Sequence, residues 1–241
     1  MNLPLLKVVG AALMLFWERR ARLARALWLP LGGGIVVSLA ELRWGPGGPE
    51  QRGAVLWALP MFMLTVMLAV RSYRVYLLGG DRDPRPLSWS LRESRFLLAM
   101  MGVSFAFAAL VFFVGSLVGL LVPDPQRFGK GTLLLMVMLP GAYLASRVLL
   151  AFPIIAVEEA SAVQALSRAW QLSRGHAVRI LLLCVAIPGL IAWLLTRLGS
   201  LPGVEPMSAA LVWLLMPAEL AIAAMVYSVL ARAAPDGGAG A

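Results

Sequence analysis

The chain offers few residues able to do chemistry, and they are scattered. One pair of carboxylates, Glu158 and Glu159, sits in VEEASAVQALSRAW. One imidazole, His176, follows in SRGHAVR, and one thiol, Cys184, lies in the apolar run LLLCVAIPG. A zinc site wants several thiolate, imidazole or carboxylate ligands drawn together. A nucleophilic triad wants a hydroxyl or thiol beside a base that an acid orients. Neither pattern is present, and the glycine runs GGG (32–34) and GPGG (45–48) do not make a phosphate loop. The single cysteine excludes an internal disulfide and reads as a small apolar packing residue. Glu158 and Glu159 precede a helix start, where carboxylates complement the dipole; a cation site at a membrane surface is the other reading. No catalytic residue, cofactor or metal site follows from these groups, and the expected protein is not an enzyme.

Two polar residues stand out by position. Glu219 lies in LLMPAELAIAAM (214–225), a run otherwise written for lipid. Counting ~1.5 Å per residue back from Arg232 puts it ~20 Å from the end of its helix, near a membrane midplane. An ionised carboxylate there costs roughly 3 kcal/mol on insertion scales, so Glu219 should face a helix bundle and be uncharged or paired. Arg147, six residues before Pro153, is the expected partner, directly or through water. The competing reading sends its long side chain to the headgroups. A structural role and a proton- or cation-coupled site are the two functional readings of Glu219.

The elements that would position these residues are membrane spans. The chain of 241 residues is 61% hydrophobic and 14% charged, with a mean hydropathy of +0.85. A soluble domain needs more polar surface than that. Six stretches approach the ~20 residues that cross a hydrocarbon core, near 24–43, 54–73, 96–122, 132–152, 178–198 and 207–231. WGPGGPEQRG (44–53), DPQRFGKG (124–131) and GSLPGVEP (199–206) read as hairpin loops. GGDRDPRPLSW (79–89) and VEEASAVQALSRAWQLSRG (157–175) are longer and carry most of the charge. The expected fold is all-α: residues 1–241 as a single polytopic membrane domain of six transmembrane helices with basic amphipathic interfacial helices.

The 21 basic residues set its orientation. With the N-terminus inside, sixteen of them border the cytoplasmic side and five (Arg43, Arg52, Arg127, Lys130 and Arg197) the other. Lys and Arg are retained in cytoplasmic loops, so both termini are expected there. The net charge of +9 then reads as attraction to anionic headgroups, at roughly 1 kcal/mol per basic residue near the surface. Nucleic acid is not an expected partner, because no basic platform interleaved with aromatics is present.

The N-terminal segment, 1–23, has its charges after its apolar stretch and no small-residue cleavage site, unlike a signal peptide. Lys7, Glu18, Arg22 and Arg25 share one helical face, and Leu6, Val9, Leu13 and Phe16 another. An interfacial helix on the membrane is expected, with a short extra span as the alternative. A Trp-containing basic segment recurs at WERRARLARAL (17–27), WSLRESRFLL (89–98) and WQLSRGHAVRILL (170–182). Three interfacial-helix-plus-hairpin repeats and coincidence both account for this. The candidate membrane-surface residues are Arg19, Arg20, Arg22, Arg25, Arg168 and Arg174. In the third copy Ser161 and Gln164 fit a capping box and Gly175 a C-cap. Val163, Leu166 and Trp170 should line one side, with Arg168, Gln171 and Arg174 facing away. This helix should lie flat between the fourth and fifth spans, or else dock a soluble partner.

Pro30, Pro60, Pro140, Pro188 and Pro217 fall in or beside spans, where they can kink helices; broken helices also line transporter sites. Gly115 with Gly119, and Gly141 with Ala145, offer close packing within the bundle or between copies. The stretch YLASRVLLAFPIIAVEEASAVQALSRAWQLSRGHAVRIL (143–181) resembles a bacterial six-span membrane family. That family includes the membrane domain of some glycerophosphoryl diester phosphodiesterases. RVYLLGG (74–80) and VYSVLAR (226–232) are weaker echoes. The resemblance implies an inner-membrane helical fold and brings no phosphodiesterase residue, since no part of this chain matches that catalytic domain. The sequence thus leads to a structural or accessory component of the bacterial cytoplasmic membrane, bound by membrane lipids and by a membrane protein or a second copy. The runner-up is a small-molecule or lipid transporter with a midplane site near Glu219.

Overall fold

The computed structural model describes residues 5–44, 54–80, 89–121, 130–158, 160–201 and 203–233. All regular structure in them is helical: α1 Leu5–Glu18, α2 Arg20–Trp44, α3 Ala54–Leu78, α4 Leu91–Leu121, α5 Lys130–Val148, α6 Ala151–Glu158, α7 Ala162–Leu172, α8 Ala177–Leu181, α9 Ile187–Gly199 and α10 Glu205–Ala233. A π-helical turn, Leu182–Ala186, joins α8 to α9. Six segments are long and apolar enough to cross a membrane: Arg20–Arg43, Trp57–Leu78, Leu91–Leu120, Leu139–Glu158, Ala177–Gly199 and Glu205–Ala233. The chain is an all-α, multi-pass membrane protein. Most of the loops expected at 44–53, 79–89 and 124–131 lie outside the described residues, as does Glu159.

Two prolines interrupt spans, and each break has a backbone cause. Pro153 has no N–H to give the Leu149 carbonyl. The ladder therefore opens at Leu149–Leu150, with Phe152 N–H closing a short turn onto Leu149 O at 3.4 Å. The fourth span is accordingly two helices, α5 and α6, and reaches Glu158 instead of ending near 152. Pro188 denies Cys184 its bond in the same way, and Ile187 N–H reaches back five residues to Leu182 O. Pro30, Pro60, Pro140 and Pro217 sit inside continuous helices.

Lipid tails are as apolar as leucine, so helices in a membrane associate through close packing and hydrogen bonds. The contact surfaces are accordingly rich in small residues. Ala12 of α1, Ala151 and Ala156 of α6, Ala165 and Ala169 of α7, and Ala221, Ala223 and Ala224 of α10 are all buried. One contiguous core runs through them with Val66–Tyr76 of α3, Leu23 and Leu27 of α2, and Phe96 and Ala99 of α4. Helix α6 lies at its centre, against α3, α4, α7 and α10. Where α2 meets α10, the Trp213 ring lies over Gly34, and a Cβ there would stand 2.5 Å from it. Gly141 is likewise pressed by the Phe107 ring. Gly115 and Gly119 face open space, so among the described residues no seam forms there, and of the two expected settings the one between copies is left.

The short helices meet the bundle through small residues. Helix α1 packs along α10 and buries Val8 and Ala12, while Leu6 and Leu13 stay exposed. Its contact face is thus turned from the apolar stripe read in the sequence. Helix α7 opens with the expected capping box, Ser161 and Gln164 each bonding the other's backbone. Gly175, at φ +77°, supplies the left-handed turn into α8. Its buried side, though, is Ala165 and Ala169 with Ser173, and Val163 and Trp170 are exposed. The basic segments at 17–27 and 170–182 both straddle a break between a short helix and a span. WSLRESRFLL instead runs straight into α4 as its first turns, so the described residues give two such units.

Candidate functional site

The polar side chains gather at one end of the bundle, where α1 turns into α2, α3 ends, and α6 and α7 meet the last third of α10. The first group joins α2 to α3. The last four carbonyls of a helix lack intrahelical partners and carry partial negative charge, which suits cations. Arg19 donates to Val75 O, and Arg22 Nη1 to Gly79 O at 2.7 Å. In the reverse direction Arg71 Nη1 donates to Ala26 O at 3.3 Å. The Arg20 guanidinium lies 4.2 Å from the Trp17 ring, and Arg25 is exposed. Arg71 and Arg74 are buried, at 4% and 7% exposure. The signal that could have located both is VRSYRVY, two arginines three apart among aromatics on one helical face.

The second group locks α6, α7 and α10. Tyr227 donates its hydroxyl to Glu158 Oε1, and Arg168 donates to Oε2. Glu158 ends α6 and serves as a cross-helix acceptor, not simply as a dipole partner for α7. Arg168, on the side of α7 away from Val163 and Trp170, reaches back to Glu158 across the α6–α7 turn. Arg174 is exposed. A third polar feature starts α4: Glu93 accepts from Ser90 N at 2.8 Å and from the Ser90 hydroxyl. Ser90 Oγ in turn accepts from Arg92 N. This is an S-x-x-E capping signal, legible in SLRE and missed.

The third group surrounds Arg147. Its Nε and Nη2 donate to Tyr143 Oη at 3.2 and 2.8 Å, and its Nη1 to Ser173 Oγ at 3.4 Å. The guanidinium carbon lies 5.3 Å from the Tyr143 ring and 5.1 Å from the Trp170 ring. Tyr143 precedes Arg147 by one turn of α5, and α7 brings Trp170 and Ser173. The direct contact of Arg147 with Glu219 that was one expectation is not among these partners. Proline-induced breakage two residues on turns α5 toward α7, and the aromatic pair captures the side chain there.

Glu219 sits half-buried on α10, two residues before the packed stretch Ala221–Ala224. Nearby, Tyr76 donates to the Pro217 carbonyl at 2.8 Å, and Trp213 Nε1 to Ser38 Oγ at 2.9 Å. Among the described residues nothing hydrogen-bonds the Glu219 carboxylate. His176 lies in the α7–α8 turn with Nδ1 buried and unbonded, and desolvation holds its imidazole below the usual range. Among the described residues, no three His, Cys, Asp or Glu side chains come close enough to share a metal ion. Set against protein-family models, curated proteins and solved structures, the chain matches none of them.

Proposed function

We propose that the chain is a non-catalytic integral component of the bacterial cytoplasmic membrane, structural or accessory in role. Its termini and arginine-rich end face the cytoplasm and the anionic headgroups of that leaflet. One observation carries this reading: the polar groups at that end are occupied in tying helices together. Arg19, Arg22 and Arg71 hold carbonyls of neighbouring helices, Glu158 is shared by Tyr227 and Arg168, and Glu93 caps α4. Groups fixed in this way are not poised to react. What remains outward is mainly positive charge, on Arg20, Arg25 and Arg174 against Glu18, which suits an anionic leaflet. The sixteen-to-five arginine and lysine bias supports the orientation. The resemblance of 143–181 to a bacterial six-span family supports the compartment.

Isolation of the full chain in native lipid discs, followed by mass spectrometry, tests the role. Anionic phospholipid should be enriched over its share of the bulk membrane; bound lipid that mirrors the bulk overturns the reading. For orientation, a cysteine placed at 168 or 85 in a Cys184→Ala background should resist impermeant labelling of whole cells. External labelling at either position reverses the topology. A transporter is the second reading, favoured by one observation: the half-buried Glu219 carboxylate has no partner among the described residues. Proton-coupled flux in proteoliposomes that vanishes in a folded Glu219→Gln protein would establish it.

A further inference from the structure

The geometry points to a binding site for one phosphate monoanion, the phosphodiester of an anionic phospholipid headgroup, at Arg147 between Tyr143 and Trp170. The inference rests on the anionic-headgroup reading above and narrows it to one place. Arg147 lies within the span Leu139–Glu158, and among the described residues no carboxylate contacts it. Glu158, the nearest acid along its own span, is already held by Arg168 and Tyr227. A guanidinium has five N–H donors and no acceptor. Three donors are engaged, by Tyr143 Oη twice and Ser173 Oγ once, which leaves one N–H on each terminal nitrogen. Neither acceptor is charged. The two aromatic rings attract the cation through their faces but cannot neutralise it. In a low-dielectric setting the counter-charge missing among the described residues is what a bound anion supplies.

Position and shape select the donor of that charge. Trp and Tyr concentrate at the headgroup level of membranes, and Tyr143 and Trp170 are 44% and 39% exposed. Ser173 is fully buried and forms the floor. The site is thus closed toward the protein and open toward the surrounding medium. A planar guanidinium with N–H groups on adjacent nitrogens matches two oxygens of a phosphate. A lipid phosphodiester supplies them at that depth, and free phosphate shares the same chemistry.

The test uses purified full-length protein, delipidated in detergent and titrated with phosphatidylglycerol or phosphatidylcholine under native mass spectrometry. The wild type should hold one phosphatidylglycerol in preference to phosphatidylcholine. Arg147→Gln should weaken that binding about tenfold, as expected for losing a charge-assisted bidentate contact. Arg147→Lys keeps the charge without the fork and should fall between them, and it serves should the glutamine variant not fold. Arg197→Gln, which removes a similar arginine stacked on Trp193 at 5.5 Å elsewhere, should bind as the wild type does. If both Arg147 variants bind as the wild type does, the site is wrong. The broader reading then survives only if a combined Arg19, Arg20, Arg22 and Arg25→Gln protein loses phosphatidylglycerol, and falls with it otherwise. Inorganic phosphate at millimolar concentration should not displace the lipid; displacement would identify a free anion as the ligand and overturn the lipid assignment.

Discussion

Helices α3 and α4 are neighbours that answer to opposite rules. The α3 span has a mean hydropathy of 1.4 and 61% of its window is buried; the α4 span has 2.5 and 6%. The last two spans repeat the pattern less sharply, at 2.4 with 11% buried and 2.0 with 39%. In water the more apolar helix would be the interior one. Here the solvent is lipid, which accepts the largely exposed Phe105, Phe112 and Phe113 of α4. The interior is chosen by what lipid cannot satisfy: Arg71, Ser72 and Arg74 of α3, all buried. Polarity therefore marks the inside of this protein, and small residues let the helices close around it.

The comparison can be broken most forcefully with the same substitution in the packed interior, where α2 meets α10, and on α4. Gly34→Leu drives a side chain into the Trp213 ring, with the backbones of α2 and α10 already in place. It should cost about 3 kcal/mol, the upper range for overpacking. Gly115→Leu on α4 meets open space and should change stability by less than about 0.5 kcal/mol. Thermal unfolding in detergent measures both. Equal costs would mean that α4 is packed in the membrane against something beyond this chain, a second copy included.

A smaller effect is expected at the three-helix lock. Tyr227→Phe removes the hydroxyl that Glu158 accepts in a half-buried setting and should cost about 2 kcal/mol, as for a hydrogen bond to a charged group. Arg168 is 54% exposed in its side chain, so Arg168→Ala should cost under about 1 kcal/mol. Double-mutant cycles with Glu158→Gln separate the two couplings. A larger Arg168 coupling would move the weight of the lock from the buried hydroxyl to the surface pair. Next in size, Ser161→Ala removes the α7 cap and should cost about 1 kcal/mol.

These expectations depend on features that differed in legibility. The Ser161–Gln164 box was readable because capping is local chemistry, set by residues three apart. The six spans were readable because length and apolarity suffice. Facing was not. Val163, Leu166 and Trp170 mark one side of α7 in the sequence, but nothing in their pattern says that the side in contact with the bundle is Ala165 and Ala169. Lipid removes the drive to bury large apolar groups and leaves close approach as the selector. The same reasoning hides Leu6 and Leu13 of α1, which face out while Ala12 packs. The split of the fourth span was accessible through Pro153, whose missing N–H frees Leu149, but hydropathy averages across it. Arg147 and Glu219 were matched by depth and charge alone. Their lateral positions depend on the α5–α6 break, which depth counting along straight helices cannot register.

The two glutamates give the smallest and most discriminating expectation. Glu158 and Glu219 both lie in span segments, but Glu158 has a donor on each oxygen and Glu219 has none among the described residues. Glu158→Gln should therefore destabilise the protein, because an amide nitrogen replaces an acceptor facing Arg168 or Tyr227. Glu219→Gln breaks no such contact and cannot be called on to carry a desolvated charge. Its melting temperature should match or slightly exceed that of the wild type, within about 0.5 kcal/mol. A loss above about 1.5 kcal/mol, the scale of a hydrogen bond to a charged group, would show that Glu219 has a partner in the membrane, supplied by residues outside those described, by lipid or by another chain. An unchanged stability combined with loss of a proton-coupled flux would instead separate Glu219 from the scaffold altogether. Of the two glutamates, only this one could then be a working group, since a carboxylate free of structural partners can exchange a proton without unlocking the helices.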